Sequence, residues 1–148
     1  MTLSHTILAA TMLLGTATIA SANLTVQFVE SAPKDSFILS NTGTCTLAAQ
    51  TVSFDLATSR AGLIFDVTGA GAGVEVFQPL DVVDQNPLVL AISEISDGDQ
   101  TLDIGLDEMT PGAKIRVTFD MDDTLTNSSL EQIRVSRSEI EGASAMTN

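Results

Sequence analysis

The 148-residue sequence has no Trp, no Tyr, one Cys, one His, and only six Lys and Arg against 19 Asp and Glu. Each shortage closes off a class of chemistry. The basic residues Lys34, Arg60, Lys114, Arg116, Arg134 and Arg137 are scattered within a net charge of −13. Nucleic-acid binding needs clustered cations to neutralise phosphates, so it is excluded, and anionic membrane surfaces would repel such a chain. Without Trp or Tyr, the usual stacking platform for sugar rings is missing. A single cysteine, Cys45, cannot close an intramolecular disulfide, so stability must come from an apolar core.

Long apolar runs are also missing. Residues 6–20 are uncharged but too short to span a hydrocarbon layer of about 30 Å, and Ala20-Ser21-Ala22 follows as an A-x-A cleavage site. The pattern predicts a helical signal peptide over 1–22 and one mature domain over 23–148, secreted or periplasmic, with no membrane span after cleavage. The n-region, Met1 to His5, lacks the usual Lys or Arg. His5 is lost with the leader, and with it go Ser-His-Asp and Cys-His catalysis and His-containing zinc sites.

What the mature part has is period-2 alternation rich in β-branched residues. It recurs at Leu24 to Val29, Phe37 to Ser40, Thr51 to Leu56, Leu63 to Val67, Val74 to Phe77, Leu88 to Ile92, Thr101 to Leu106, Lys114 to Met121 and Ile133 to Ser136. Asn41-Thr-Gly43, Asp97-Gly98 and Pro111-Gly112 supply turns, with a positive φ expected in the first, and the turn before Lys114 should cross between sheets. No helical apolar stripe is sustained. Eight or nine short strands predict an all-β fold, an antiparallel Ig-like β-sandwich. All six phenylalanines, Phe28, Phe37, Phe54, Phe65, Phe77 and Phe119, fall within strand patterns and are expected in the core.

Three motifs carry chemical suggestions. Asp120-Met-Asp122-Asp123-Thr124 after an apolar strand fits the D-x-D-x-T of haloacid dehalogenase-like phosphatases, and Gly98-Asp99 to Asp103 echoes their metal motif. That reading, a metal-dependent hydrolase using Asp120 and Asp122, is the alternative; it requires a parallel α/β sheet that this pattern does not supply. Calcium suits the same residues better, because it takes six to eight oxygens, often from loop carboxylates, and Asp outnumbers Glu 12 to 7. Asp97, Asp99, Asp120, Asp122 and Asp123 are the candidate ligands, against the competing reading that they are solvated strand-end carboxylates that keep a secreted sandwich soluble. An EF-hand running from Asp120 to Glu131 fails, since Leu125 stands where the loop needs Gly. Gly69-Ala-Gly71-Ala-Gly73 has the wrong spacing for a dinucleotide loop, is followed by strand-like residues, and reads as a loop or bulge.

Leu24 to Phe37, Asn41-Thr-Gly43, Ala61 to Leu80, Ser96-Asp-Gly-Asp99 and Ser138 to Ala143 together resemble bacterial secreted proteins named for the marine sponge aggregation factor core. The resemblance covers the mature part. It implies an extracellular or periplasmic protein with a role in calcium-dependent aggregation or adhesion, a protein or cell-surface partner, and self-association. It also implies a further strand beyond Ala143, where only Ser144 to Asn148 remain, so an edge strand is expected to be missing and its neighbour exposed. The expected function is therefore non-enzymatic surface interaction, with the metal-dependent hydrolase or a periplasmic domain with no adhesive role as alternatives.

Overall fold

A computed structural model describes residues 21–74, 76–84, 88–127 and 134–148. The proposed leader through Ala20, and Glu131 of the EF-hand comparison, lie outside them. The described residues form ten strands: β1 (Leu24–Val29), β2 (Asp35–Asn41), β3 (Gln50–Asp55), β4 (Ile64–Phe65), β5 (Asp81–Asp84), β6 (Val89–Ile92), β7 (Thr101–Leu106), β8 (Lys114–Phe119), β9 (Met121–Asp122) and β10 (Ser144–Thr147). They make two four-stranded sheets, ordered β1-β2-β8-β5 and β10-β3-β7-β6, and a two-stranded ribbon of β4 and β9. Every pairing is antiparallel. Among the described residues there is no helix, and none long and apolar enough to cross a membrane.

Alternation explains how the sheets meet. β7 buries Leu102, Ile104 and Leu106 and exposes Thr101 and Asp103, while β3 buries Val52 and Phe54, and β8 buries Ile115, Val117 and Phe119. These side chains join one core that draws on both sheets. Phe37 of β2 stacks on Phe54 of β3 with centroids 4.2 Å apart, and Phe119 lies 4.7 Å from Phe37 and 5.4 Å from Phe65. The segment with Pro111-Gly112 does carry the chain from β7 in one sheet to β8 in the other.

Several expectations need correction. Val74, Val76 and Phe77 are not in a strand, and neither are residues 134–136. Phe77 is exposed rather than core, lying against Gly69, and Phe28 is half-buried. Gly43 does not take a positive φ; a Cβ there would come within 2.2 Å of the Ser21 carbonyl and 2.7 Å of the Asn23 amide nitrogen, so close approach of the chain entering β1 favours glycine even in a chain that begins at Asn23. The edge strand expected to be missing is present. β10 pairs with β3 from Ser144 opposite Asp55 to Thr147 opposite Val52. Two strands, β5 and β10, went unforeseen.

Candidate functional site

The β4–β9 ribbon pairs Ile64 with Asp122 and Phe65 with Met121, and the Asp66 amide donates to the Asp120 carbonyl at 3.1 Å. Alternation then sorts the side chains. Phe65 and Met121 face the core, so Asp66, Asp120 and Asp122 share the opposite face of the ribbon. That face is not open to solvent: Asp66, Asp120, Asp122 and Asp123 are only 1%, 5%, 1% and 2% exposed. The cover is the loop from Val67 to Val74, pinned to the ribbon by the Val74 amide, which donates to Asp122 Oδ2 at 2.6 Å.

The glycine run makes this cover fit. A Cβ on Gly73, which sits at φ 141°, would lie 2.5 Å from Asp66 Cγ, and one on Gly71 would lie 2.8 Å from Asp97 Cβ. Alternate glycines thus press the loop backbone onto one carboxylate on each side. On the second side, Asp97 receives the amides of Val67 and Thr68 on Oδ1 and those of Ala70 and Gly71 on Oδ2, plus the Thr68 hydroxyl. Partial burial pushes the Asp97 carboxyl up, but the Thr68 hydroxyl and the Ala70, Thr68 and Val67 amides outweigh it and hold the group well below the usual carboxylate range.

The ribbon carboxylates behave in the opposite way. Burial is the main cause that pushes Asp122 up to about 6; the Val74 amide opposes it, and the charges of Asp66 and Asp123 add to it. Asp66, within hydrogen-bonding reach of Asp122, is also raised, chiefly by burial. Asp120 is pushed up to about 7 by burial and then by the charges of Asp122, Asp35 and Asp66. Asp66 Oδ2, Asp122 Oδ1 and Asp123 Oδ2 are buried without a hydrogen-bond partner.

The five residues singled out as calcium ligands therefore divide. Asp120, Asp122 and Asp123 are together at the ribbon. Asp97 organises the covering loop from its other side, and Asp99 accepts the Ser96 amide at 2.7 Å within its own turn. Asp66 escaped sequence reasoning because Phe65-Asp66-Val67 looks like an ordinary outward polar residue in an alternating strand. The available signal was Gly69-Ala-Gly71-Ala-Gly73, which says that backbone must approach something closely. Among the described residues no three His, Cys, Asp or Glu side chains converge as a ready metal centre. Asp120, between β8 and β9, and Asp122, on β9, lie among antiparallel strands, without the parallel α/β scaffold that their resemblance to a phosphatase motif requires. Cys45 is half-buried and in no disulfide.

A second region differs in kind. Edge strands β1 and β10 border one apolar groove of about 230 Å³, floored by Phe37, Phe54 and Leu56 and walled by Val26, Phe28 and Ile140. Neither strand contains a charged residue, and both pair with their neighbours in unbroken register. The opposite edges are interrupted: β5 ends in Asp81 and Asp84 and shifts register after Val82, and β6 shifts after Val89. Shifts and charges of that kind discourage edge pairing, whereas β1 and β10 have neither. Compared with known proteins, the chain matches no family model, no curated protein and no solved structure.

Proposed function

We propose that the chain is a secreted or periplasmic, non-enzymatic Ig-like β-sandwich that works through its surface, self-associating in cell aggregation or adhesion. The observation that carries this reading is the unguarded flank formed by β1 and β10. In a chain of net charge −13, copies repel one another over most of their surface. A flank whose two strands carry no charged side chain, with an apolar groove and with Val26 and Met146 exposed at 38% and 61%, is where two copies can meet. The resemblance to the aggregation factor core points the same way, and the apolar residues 6–20 with their A-x-A site support export.

Sedimentation of the exported protein over a range of concentrations tests the reading. The wild type should form dimers or larger species, and a variant with Val26→Lys and Met146→Lys should remain monomeric while keeping its β-sheet circular dichroism. A wild type that stays monomeric at high concentration and does not aggregate cells would overturn it.

A further inference from the structure

The chain is tied to the domain before β1 begins. The Ser21 carbonyl accepts the amides of Thr44 at 2.8 Å and Cys45 at 3.2 Å, and the Ser21 amide donates to the Thr44 hydroxyl at 3.2 Å. Asn23 continues the contact. Its carbonyl accepts the Thr42 amide at 2.9 Å, and its side-chain amide donates to the Thr42 hydroxyl at 3.1 Å. Ser21 therefore spends both of its backbone groups on residues 42–45, as a residue inside a ladder does.

Gly43 is fitted to the same segment. A Cβ there would lie 2.2 Å from the Ser21 carbonyl oxygen, 2.7 Å from the Asn23 nitrogen and 3.0 Å from Ala22 Cα. All three are backbone atoms, which cannot swing aside as the end of a side chain can, and the tightest of them belongs to Ser21.

A leader cut after Ala22 would discard this docking. The Thr44 and Cys45 amides would lose their acceptor, the second of them on a half-buried residue, and a charged α-amino group would form on Asn23 at its crowded passage beside Gly43. The sequence offers another cut two residues earlier. A leader is removed after small residues at the first and third positions before the cut, and Thr18-Ile-Ala20 meets that pattern as Ala20-Ser-Ala22 does. Cutting after Ala20 converts only the Ser21 amide, into an ammonium that still donates to the Thr44 hydroxyl, and leaves the Ser21 carbonyl in place.

We propose that the leader is removed between Ala20 and Ser21, so that the mature protein begins at Ser21 with Ser21 and Ala22 docked on residues 42–45. This rests on the export reading, which supplies the leader, and not on self-association. It replaces the cut after Ala22 that the A-x-A spacing predicts.

Intact-mass measurement and N-terminal sequencing of the exported protein test it. The main species should start at Ser21. Ala22→Leu should leave that start unchanged, because residue 22 then lies inside the mature chain, whereas Ala20→Leu should block the cut or move it. A start at Asn23, or loss of processing in Ala22→Leu, would overturn the proposal and leave export standing; an intact Met1 would overturn both. Amide hydrogen exchange supplies a structural arm. Thr44 and Cys45 should be protected in the exported protein and should exchange at least tenfold faster in a chain released to begin at Asn23. Equal exchange in the two would mean that Ser21 is not docked, which also overturns the proposal.

Discussion

The loop from Val67 to Val74 touches carboxylates on two sides and treats them oppositely. Asp97 takes four loop amides and a hydroxyl and stays ionised, while Asp66 and Asp122 share one amide, from Val74, and are pushed toward the neutral form. Burial and donors act together: near-complete burial raises the ribbon pair, whereas on the half-buried Asp97 the N–H and O–H donors outweigh burial. A loop backbone that spends its donors on Asp97 leaves few for the other side. Asp97 is thus a structural anchor, and the ribbon carboxylates are left to recruit a proton or a cation.

The largest expected effect comes from removing the anchor. Asp97→Ala leaves five donors without their acceptor and should lower unfolding stability by about 3 kcal/mol, read from urea denaturation. The sign with pH follows from the depressed folded pKa. The contribution is fully present above the unfolded value of 3.8 and fades as pH falls below it, so wild type and variant should converge in acid. A difference that persists unchanged at pH 2 would place the effect in packing instead.

Next in size is Gly73→Ala. Its Cβ would sit 2.5 Å from Asp66 Cγ at a φ of 141°, so a loss of about 2 kcal/mol is expected in the same measurement. A neutral outcome would mean that the loop is not pressed against the ribbon.

The sequence carried much of the fold because the strands that build the core alternate cleanly. β1 and β7 have the bounds their alternation predicts, and Leu102, Ile104 and Leu106 face inward as the pattern requires. β10 was illegible because Ser-Ala-Met-Thr has little strand propensity; its pairing with β3 is a matter of backbone hydrogen bonds. β5 hid behind Asp81 and Asp84 at its ends. Val74 to Phe77 has the right side chains for a strand, yet the Val74 amide is spent on Asp122 instead of a ladder. At the site, the run Asp120-Met-Asp122-Asp123 gave three of the four ribbon carboxylates. Asp66 depends on a pairing 54 to 56 residues away along the chain, which alternation within one strand cannot reveal.

Asp35 offers an intermediate case and the smallest effect. It is buried, accepts one amide from Ser31 at 3.1 Å, and is pushed up to about 7, mainly by burial; the Ser31 amide opposes this, Glu30 adds to it and Arg134 subtracts. Because its folded pKa lies above the unfolded 3.8, the folded state holds the proton more tightly, and stability falls as pH rises from about 4 to about 7. Asp35→Asn should lessen that slope, leaving the part carried by the raised Asp66, Asp120 and Asp122, and gain roughly 1 kcal/mol at pH 8, once water penetration is allowed for. An unchanged slope in thermal melts across that range would contradict the assignment.

The contrast between the two sides of the loop is tested most directly by following side-chain carboxyl carbons by NMR during a pH titration of protein stripped of metal with EDTA. Asp97 should remain ionised well below the ordinary carboxylate range, while Asp122 should titrate near 6, with Asp66 also raised. If Asp97 and Asp122 titrate together near 3.8, the loop does not distinguish its two sides and the account fails.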